Sequence, residues 1–360
     1  MRYLILLLLV LGVGCASEPD TPPAPSDAPM QRIEASVMPT LTRLDTGADS
    51  VLFIGIHPVD AQTVWISGTL GTFARTTDGG DAWTVGTVPD ADTLQFRDVY
   101  AADSTTAYLL SIGPAASSRI YKTTDGGASW TLQFVNDEPE AFYDCMSFWD
   151  PENGIAFSDA VDTTFPIIIT SDGGATWSRV PASSLPPALP GEGSFAASGT
   201  CLVTHGDSTA WFGTGASTTA RVFKTTDRGK TWSAAETPLV SGEAAGIASL
   251  TFRDELNGAA LGGDIAEPEQ YTDNVAVTTD GGLTWTLGGR TAFPGAVYGA
   301  SYVPGASTTL VAVGPGGIDY STDNGETWAT LDTETHWSVA FAGSTGWAIG
   351  PEGRVTRIDF

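Results

Sequence analysis

Six near-copies of one short motif constrain the fold of this 360-residue chain more than any other feature. Each copy reads Ser/Thr-x-Asp-x-Gly-x-x-Trp, as in "TTDGGASW". Successive motif aspartates lie 43 to 55 residues apart, and self-similarity at such a period predicts a propeller or a solenoid. The aspartates and tryptophans of the motif are Asp78, Trp83, Asp125, Trp130, Asp172, Trp177, Asp227, Trp232, Asp280, Trp285, Asp323 and Trp328.

The sequence between two copies of the motif indicates β-structure throughout. One period contains "FRDVYAA", "TAYLLSIG", "SRIYKTTD" and "SWTLQFV", which are short, rich in β-branched or aromatic residues, and bounded by turn residues. Four such segments with no 3.6-residue periodicity between them are typical of one blade of a β-propeller.

The two ends of the chain determine the number of blades. After the sixth motif, "WSVAFAGSTGWAIGPEGRVTRIDF" has the pattern of three strands and ends without a motif. We expect Ser36–Asp45 to supply the missing fourth strand, because pairing the two ends closes the ring and removes exposed sheet edges. The prediction is an all-β, seven-bladed propeller over residues 36–360, closed by an N-terminal strand in the last blade.

Each part of the motif has a structural role in such a blade. The aspartate falls in the turn between the third and fourth strands, where its carboxylate can accept hydrogen bonds from backbone N–H groups of the turn. The glycines permit positive φ angles, and the tryptophan is large enough to fill the seam between blades. The motif is therefore interpreted as structural, with ligand recognition placed elsewhere.

The motif resembles the Asp-box of the BNR repeat, which occurs in sialidases, other glycosidases and sortilin-like receptors. Beyond its N-terminal segment, the chain resembles the photosystem II stability/assembly factor-like family of seven-bladed propellers. The segments "GWAIGPEGRVTRI" and "AYLLSIGPAASSRIYKTTDGGASW" carry this resemblance. The resemblance implies a non-catalytic scaffold that binds protein partners or assists assembly at the cell envelope, without a cofactor.

The N-terminus has the pattern of an export signal. Residues 1–15 contain a short apolar run, and Gly12-Val13-Gly14-Cys15 resembles a bacterial lipobox apart from Gly12. Lipidation at Cys15 would anchor the protein to the periplasmic or outer-membrane face of the envelope, and residues 16–35 form a Pro-, Asp- and Ser-rich tether. Ordinary secretion to the periplasm or the exterior is the alternative.

Charge and cysteine content limit the partners and the redox state. The formal net charge is −26, which disfavours nucleic acid as a partner. A monomer is expected, touching a membrane only through its lipid. Cys145 and Cys201 lie on corresponding strands of successive repeats. The sequence is compatible with a disulfide between them and with two buried free thiols.

The sequence does not contain the residue pattern that a sialidase on this fold requires. A sialidase needs three substrate-binding arginines, the first in an early Arg-Ile-Pro segment, whereas Phe96–Val99 and Phe252–Glu255 carry "FRDV" and "FRDE". No metal-ligand spacing or phosphate-binding loop was identified. No catalytic residue, metal or cofactor is predicted. A carbohydrate-active propeller, either a glycosidase or a glycan-binding lectin, is the leading alternative, and an oxidoreductase has weaker support.

Ligand recognition is expected on the rim opposite the motif turns. That rim carries the loops between the second and third strands, several of which are long, and loops on a rigid scaffold often carry binding residues. Residues of the innermost strands could line the mouth of the central channel. The candidate binding residues on these strands and loops are Arg97, Asp98, Asp144, Asp159, Asp162, Asp264, Tyr271, Asp273 and Asn274.

Overall fold

The computed structural model describes residues 38–360, which form seven four-stranded antiparallel sheets. The first strand, β1 (Thr40–Leu44), precedes the first complete blade. The predicted signal segment 1–15, with Cys15, and the tether 16–35 lie outside the described residues. Within residues 38–360, no helix is both long and apolar enough to cross a bilayer.

Six blades are built from consecutive strands. Blade 1 comprises β2 (Phe53–Pro58), β3 (Val64–Gly68), β4 (Thr72–Thr76) and β5 (Thr84–Thr87). Blade 2 comprises β6 (Phe96–Ala101), β7 (Ala107–Ser111), β8 (Arg119–Thr123) and β9 (Thr131–Val135). Blade 3 comprises β10 (Tyr143–Phe148), β11 (Gly154–Ser158), β12 (Ile167–Thr170) and β13 (Ser178–Arg179). Blade 4 comprises β14 (Leu202–His205), β15 (Thr209–Gly213), β16 (Arg221–Thr225) and β17 (Ser233–Glu236). Blade 5 comprises β18 (Ala245–Phe252), β19 (Gly258–Asp264), β20 (Val275–Thr278) and β21 (Thr286–Leu287). Blade 6 comprises β22 (Gly299–Tyr302), β23 (Leu310–Gly314), β24 (Gly317–Ser321) and β25 (Ala329–Asp332).

The seventh blade joins the two ends of the chain. Its strands are β26 (Ser338–Ala342), β27 (Thr345–Ile349) and β28 (Val355–Asp359), and β1 pairs with β28. The pairing runs antiparallel from Thr40 opposite Asp359 to Leu44 opposite Val355. The innermost strands contact one another in a closed circle, and β26 returns to β2. The predicted seven-bladed propeller, closed by an N-terminal strand in the last blade, is confirmed.

Each motif turn contains a local hydrogen-bond network, illustrated by the second copy. Asp125 Oδ1 accepts the Ser129 amide at 2.9 Å and the Thr123 hydroxyl at 2.8 Å. The Thr123 hydroxyl oxygen in turn accepts the Gly127 amide at 2.9 Å. The Ser129 hydroxyl also donates to Asp125 Oδ2. The hydrogen bonds to Asp125, of which this one contributes most, lower the pKa of Asp125 to about 2. In the other five copies as well, the aspartate Oδ1 and the hydroxyl oxygen of the Ser or Thr two residues before it each accept a backbone amide of the turn.

The motif tryptophans lie at the seams between neighbouring blades. Trp130 of blade 2 packs against Trp65 and Phe73 of blade 1, with ring centroids 6.2 and 5.1 Å apart. Each of the other five motif tryptophans likewise packs on a hydrophobic cluster drawn from two adjacent blades. The aspartate turn therefore fixes the position of an indole that joins one blade to the preceding blade.

The connection between blades 3 and 4 enters the central channel, which the sequence pattern did not predict. The carbonyl of Ala196 accepts from Arg97 Nη1 of blade 2 at 2.8 Å. Two residues further on, the Ser198 carbonyl accepts from Ser338 Oγ of blade 7 at 3.0 Å, and Ser198 Oγ donates to the Tyr298 carbonyl at 2.6 Å. Residues 193–200, called here the plug, thus contact strands on different sides of the ring and fill the channel.

A disulfide fixes the end of the plug. Cys201 follows the plug directly and is bonded to Cys145 of β10, and both residues are fully buried. The bond joins the innermost strand of blade 3 to the start of blade 4.

Candidate functional site

A cavity of about 410 Å³ lies above the plug, at the mouth of the channel. Its wall includes residues that follow the second strands of blades 2, 3 and 5, which places it on the rim opposite the motif turns. We call it the mouth cavity. It is lined by Arg97, Ile112, Phe142, Asp144, Asp159, Ser194, Phe195, Ala196, Ala197, Ile265, Tyr298 and Trp337.

Irregular backbone at the start of the innermost strands supplies the polar wall. The β6–β7 register shifts at Arg97, and the β10–β11 register shifts at Asp144. A bulge of this kind leaves one residue outside the regular ladder and changes the direction of its side chain. Tyr298 and Trp337 occupy the positions immediately before β22 and β26. Four innermost strands therefore direct a polar or aromatic residue towards one cavity.

Asp144 and Asp159 form a carboxyl pair in this wall. The two carboxyl groups influence each other's pKa, and Asp159 Oδ1 accepts the Ser194 amide of the plug at 2.7 Å. Burial, followed by the charge of Asp159, raises the pKa of Asp144 well above its ordinary value. Burial also raises the pKa of Asp159, to about 6. Of the two carboxyl groups, Asp144 is the more strongly shifted towards its protonated form.

Arg97 is held by the plug and by its own strand. Its Nη1 donates to the Ala196 carbonyl, and its Nη2 donates to Gln95 Oε1 at 3.2 Å. Burial lowers the pKa of Arg97, an effect opposed by Tyr298 and Asp144. Nη1 and Nη2 of Arg97 therefore each use one N–H group in a contact within the protein.

Three buried polar atoms of the cavity residues have no hydrogen-bond partner among the described residues. They are Arg97 Nε, Trp337 Nε1 and Asp144 Oδ2. The Trp337 indole packs edge-on against Tyr298, with ring centroids 4.9 Å apart. Buried polar groups are normally paired, so these two donors and one acceptor can pair with a ligand or with water at the cavity.

Asp98 lies away from the mouth cavity, although the sequence placed it at the channel mouth. Its Oδ2 accepts the Met146 amide at 2.6 Å, so it links the innermost strands of blades 2 and 3. It lines a second cavity, on the other side of the plug, together with His57 and Met146. Burial raises the pKa of Asp98 to about 8. This residue therefore has a structural contact rather than a position in the mouth cavity.

The remaining loop candidates also lie outside the lining of the mouth cavity. Asp162 is exposed in a turn, and Asp264 Oδ1 caps its own loop by accepting the Ala266 amide. Tyr271, which is 55% exposed, donates to the Ala292 carbonyl, and Asp273 forms an exposed ion pair with Arg290. Asn274 is buried and donates to Thr291 Oγ1. Of the nine candidates, only Arg97, Asp144 and Asp159 meet in the cavity.

Sequence reasoning missed the aromatic wall. Tyr298 and Trp337 stand in "VYGASYV" and "HWSVAFA", at positions that correspond to Arg97 and Asp144 at the start of the innermost strands. Aligning the repeats on these strands, instead of on the motif turns, would have identified both residues. Phe195 and Ser194 belong to the plug, which has no counterpart in the other repeats and gave no signal.

Known proteins with this architecture have varied activities. A family model described as BNR/Asp-box repeat matches residues 319–330, and no curated protein matches the sequence of this chain. The structure of YCF48 bound to D1 peptide superposes with a TM-score of 0.60 at 16% identity, covering 89% of this chain and 97% of that one. YCF48 from Cyanidioschyzon merolae gives 0.60 at 15%, covering 89% and 98%.

An enzyme shares the fold as well. The GH74 xyloglucanase from Xanthomonas campestris gives a TM-score of 0.60 at 14% identity, covering 88% of this chain and 53% of the enzyme. The repeat match and the YCF48 structures support the resemblance to the photosystem II assembly factor-like propellers. At these identities the shared property is the fold.

Among residues 38–360, no group of three or more His, Cys, Asp or Glu side chains is placed to hold a metal ion. The mouth cavity instead offers one guanidinium, one carboxyl pair and aromatic faces. Such a set can position a polar ligand through hydrogen bonds and stacking.

Proposed function

We propose that this chain is a non-catalytic propeller that binds a segment of a partner protein in its mouth cavity. The observation that carries the proposal is the set of unpartnered polar atoms beside aromatic faces, held on rigid strands above a filled channel. Both donors and an acceptor are needed to pair with a peptide backbone and its side chains. The fold is also that of YCF48, a protein solved with a bound peptide.

The carboxyl pair supports binding over glycoside hydrolysis. Retaining and inverting glycosidases hold their two carboxyl groups roughly 5 to 10 Å apart so that the sugar or a water fits between them. Asp144 and Asp159 instead stand in one wall of the cavity and shift each other's pKa values. In this arrangement they behave as one coupled carboxyl pair, whereas a glycosidase needs a general acid and a separate nucleophile or general base.

The site of action that we propose is the cell envelope. An export signal over residues 1–15 and lipidation of Cys15 would place the propeller on the periplasmic or outer-membrane face, with residues 16–35 as a tether. The acidic sequence, at −26, suits an exported protein that does not bind nucleic acid. Fractionation of the source organism, with metabolic labelling by a fatty-acid analogue, tests this location, and Cys15→Ser should abolish the label.

Site-specific photocrosslinking tests the binding role. A photoreactive phenylalanine analogue at position 298 should give a discrete adduct with a partner protein in native membranes. The matched control carries the analogue at Leu283, which is 63% exposed in a motif turn on the opposite rim. Equal adducts at both positions, or none at position 298, would refute a binding site in the mouth cavity.

A fluorogenic glycoside panel and a glycan array address the carbohydrate-active alternative. Hydrolysis that disappears in Asp144→Asn or Asp159→Asn would refute the non-catalytic role and identify the protein as a glycosidase. Saturable glycan binding that is lost in Trp337→Ala would instead identify a lectin.

A further inference from the structure

We infer that the mouth cavity receives a cationic side chain, lysine or arginine, from the partner segment. The cation would lie against Asp144 and Asp159, with the faces of Tyr298 and Trp337 beside it. This inference rests on the proposed function and names the chemistry of the partner.

The carboxyl pair has more acceptor capacity than the protein fills. Asp159 receives the Ser194 amide, whereas Asp144 Oδ2 has no donor among the described residues. Asp144 is 1% exposed although it belongs to the cavity wall, so its side chain must rotate for this oxygen to contact a ligand. An ammonium or guanidinium group carries several N–H donors and would pair with both carboxyl groups at once.

Burial and the charge of Asp159 both favour the protonated form of Asp144 while no further cation is bound. The charged and titratable groups facing Asp144 are Asp159, at the end of β11, and Arg97, from β6. Tyr298, which faces Arg97, stays neutral because burial raises its pKa. A bound cation would take the place of the proton on Asp144, so binding should release up to one proton, which passes from Asp144 to solvent.

The charge distribution favours a cation over an anion. Arg97 is partly committed to the protein, because its Nη1 and Nη2 each donate one N–H, to the Ala196 carbonyl and to Gln95 Oε1. The net charge of −26 attracts basic segments and repels acidic ones at long range. A positively charged segment is therefore the partner that fits both the cavity and the surface around it.

The aromatic wall suits the same ligand. Tyrosine and tryptophan faces attract ammonium and guanidinium groups, most strongly where water is excluded. The remaining free donors, Trp337 Nε1 and Arg97 Nε, match the carbonyl oxygens of the peptide on either side of the cationic residue.

Selection from a displayed library of short random peptides on the immobilised protein tests the inference. Selected peptides should share a lysine or arginine at one fixed position. Replacing that residue by norleucine or glutamine should weaken binding roughly tenfold or more, as truncation of a buried charged partner does. Calorimetry in two buffers of different ionisation enthalpy should report the release of up to one proton per bound peptide.

Two variants separate the cavity from the general negative charge. Asp144→Asn is close to isosteric with the protonated acid, so it should fold, lose the proton release and bind the peptide roughly tenfold more weakly. Asp162→Asn removes an exposed carboxylate outside the cavity and should change neither quantity. If Asp144→Asn does not fold, Trp337→Phe, which keeps an aromatic face, should still weaken binding without altering proton release.

Peptides with no fixed cationic residue, peptides selected for acidic residues, or equal binding by Asp144→Asn and the parent protein would overturn the inference. Each of these results is compatible with a partner that crosslinks to position 298, so the proposed function would survive. Absence of that crosslink would reject the proposed function independently of the peptide results.

Discussion

Replacing Trp130 by alanine should destabilise the propeller at the seam between blades 1 and 2. The indole contacts Trp65 and Phe73 across this seam and is half-buried. Truncating a fully buried tryptophan costs about 3–5 kcal/mol, so a half-buried one should cost about 2–3 kcal/mol. The unfolding entropy of a domain of this length makes 1 kcal/mol worth roughly 1.5 °C, so the melting temperature should fall by about 3–5 °C.

Differential scanning calorimetry or circular dichroism measures this shift, and a urea titration gives the free energy of unfolding. Trp130→Phe preserves an aromatic contact and should lose less than half of the stability lost by Trp130→Ala. Leu132→Ala is a useful control, because Leu132 lies two residues further along the chain, in β9, and is 45% exposed. If Trp130→Ala melts with the parent protein, the assignment of the motif tryptophan to an inter-blade contact is refuted.

Three further predictions concern closure, the disulfide and pH. Deleting the chain through Leu44 removes β1 and should cause unfolding or aggregation, seen by size-exclusion chromatography, whereas deleting residues 16–29 should leave the melting temperature unchanged. Replacing Cys145 and Cys201 together by serine should lower the free energy of unfolding by up to about 4 kcal/mol, because the bond closes a 56-residue separation. Burial raises the pKa of Asp98 from 3.8 to about 8, so the folded state binds more protons than the unfolded state between these values. Stability in urea should therefore fall as pH rises through this window, and Asp98→Asn should flatten the dependence.

The fold could be predicted from the sequence because its signals are local and repeated. Every motif turn places its aspartate, its hydroxyl residue and its tryptophan within eight consecutive residues, so each copy reports the same strand connection. Six copies and one incomplete repeat then determine the blade number. The closing strand was also predictable, because the last repeat has only three strands and Thr40–Leu44 belongs to no complete repeat.

The candidate site could be predicted only in part because it depends on contacts between distant segments. Arg97 and Asp144 were identified from their innermost strands, and Asp159 from its loop. The plug could not be predicted, since the Pro-rich connection before β14 has no repeat counterpart and no regular pattern. The plug forms part of the wall of the mouth cavity. Without it, neither the cavity nor the grouping of Tyr298 with Arg97 could be predicted.

The bulge positions explain how one scaffold can change its ligand without changing its fold. In four blades the register between the first two strands shifts at a single residue, and the residues there are Ile54, Arg97, Asp144 and Ala248. The ladder on either side fixes the backbone, so the side chain at the bulge is not required for strand pairing. Its identity is therefore free to vary between blades, and in this chain two of the four positions carry a guanidinium and a carboxyl group. The proposed recognition site at the channel mouth is separated in this way from the motif turns, which hold the blades together at the opposite rim.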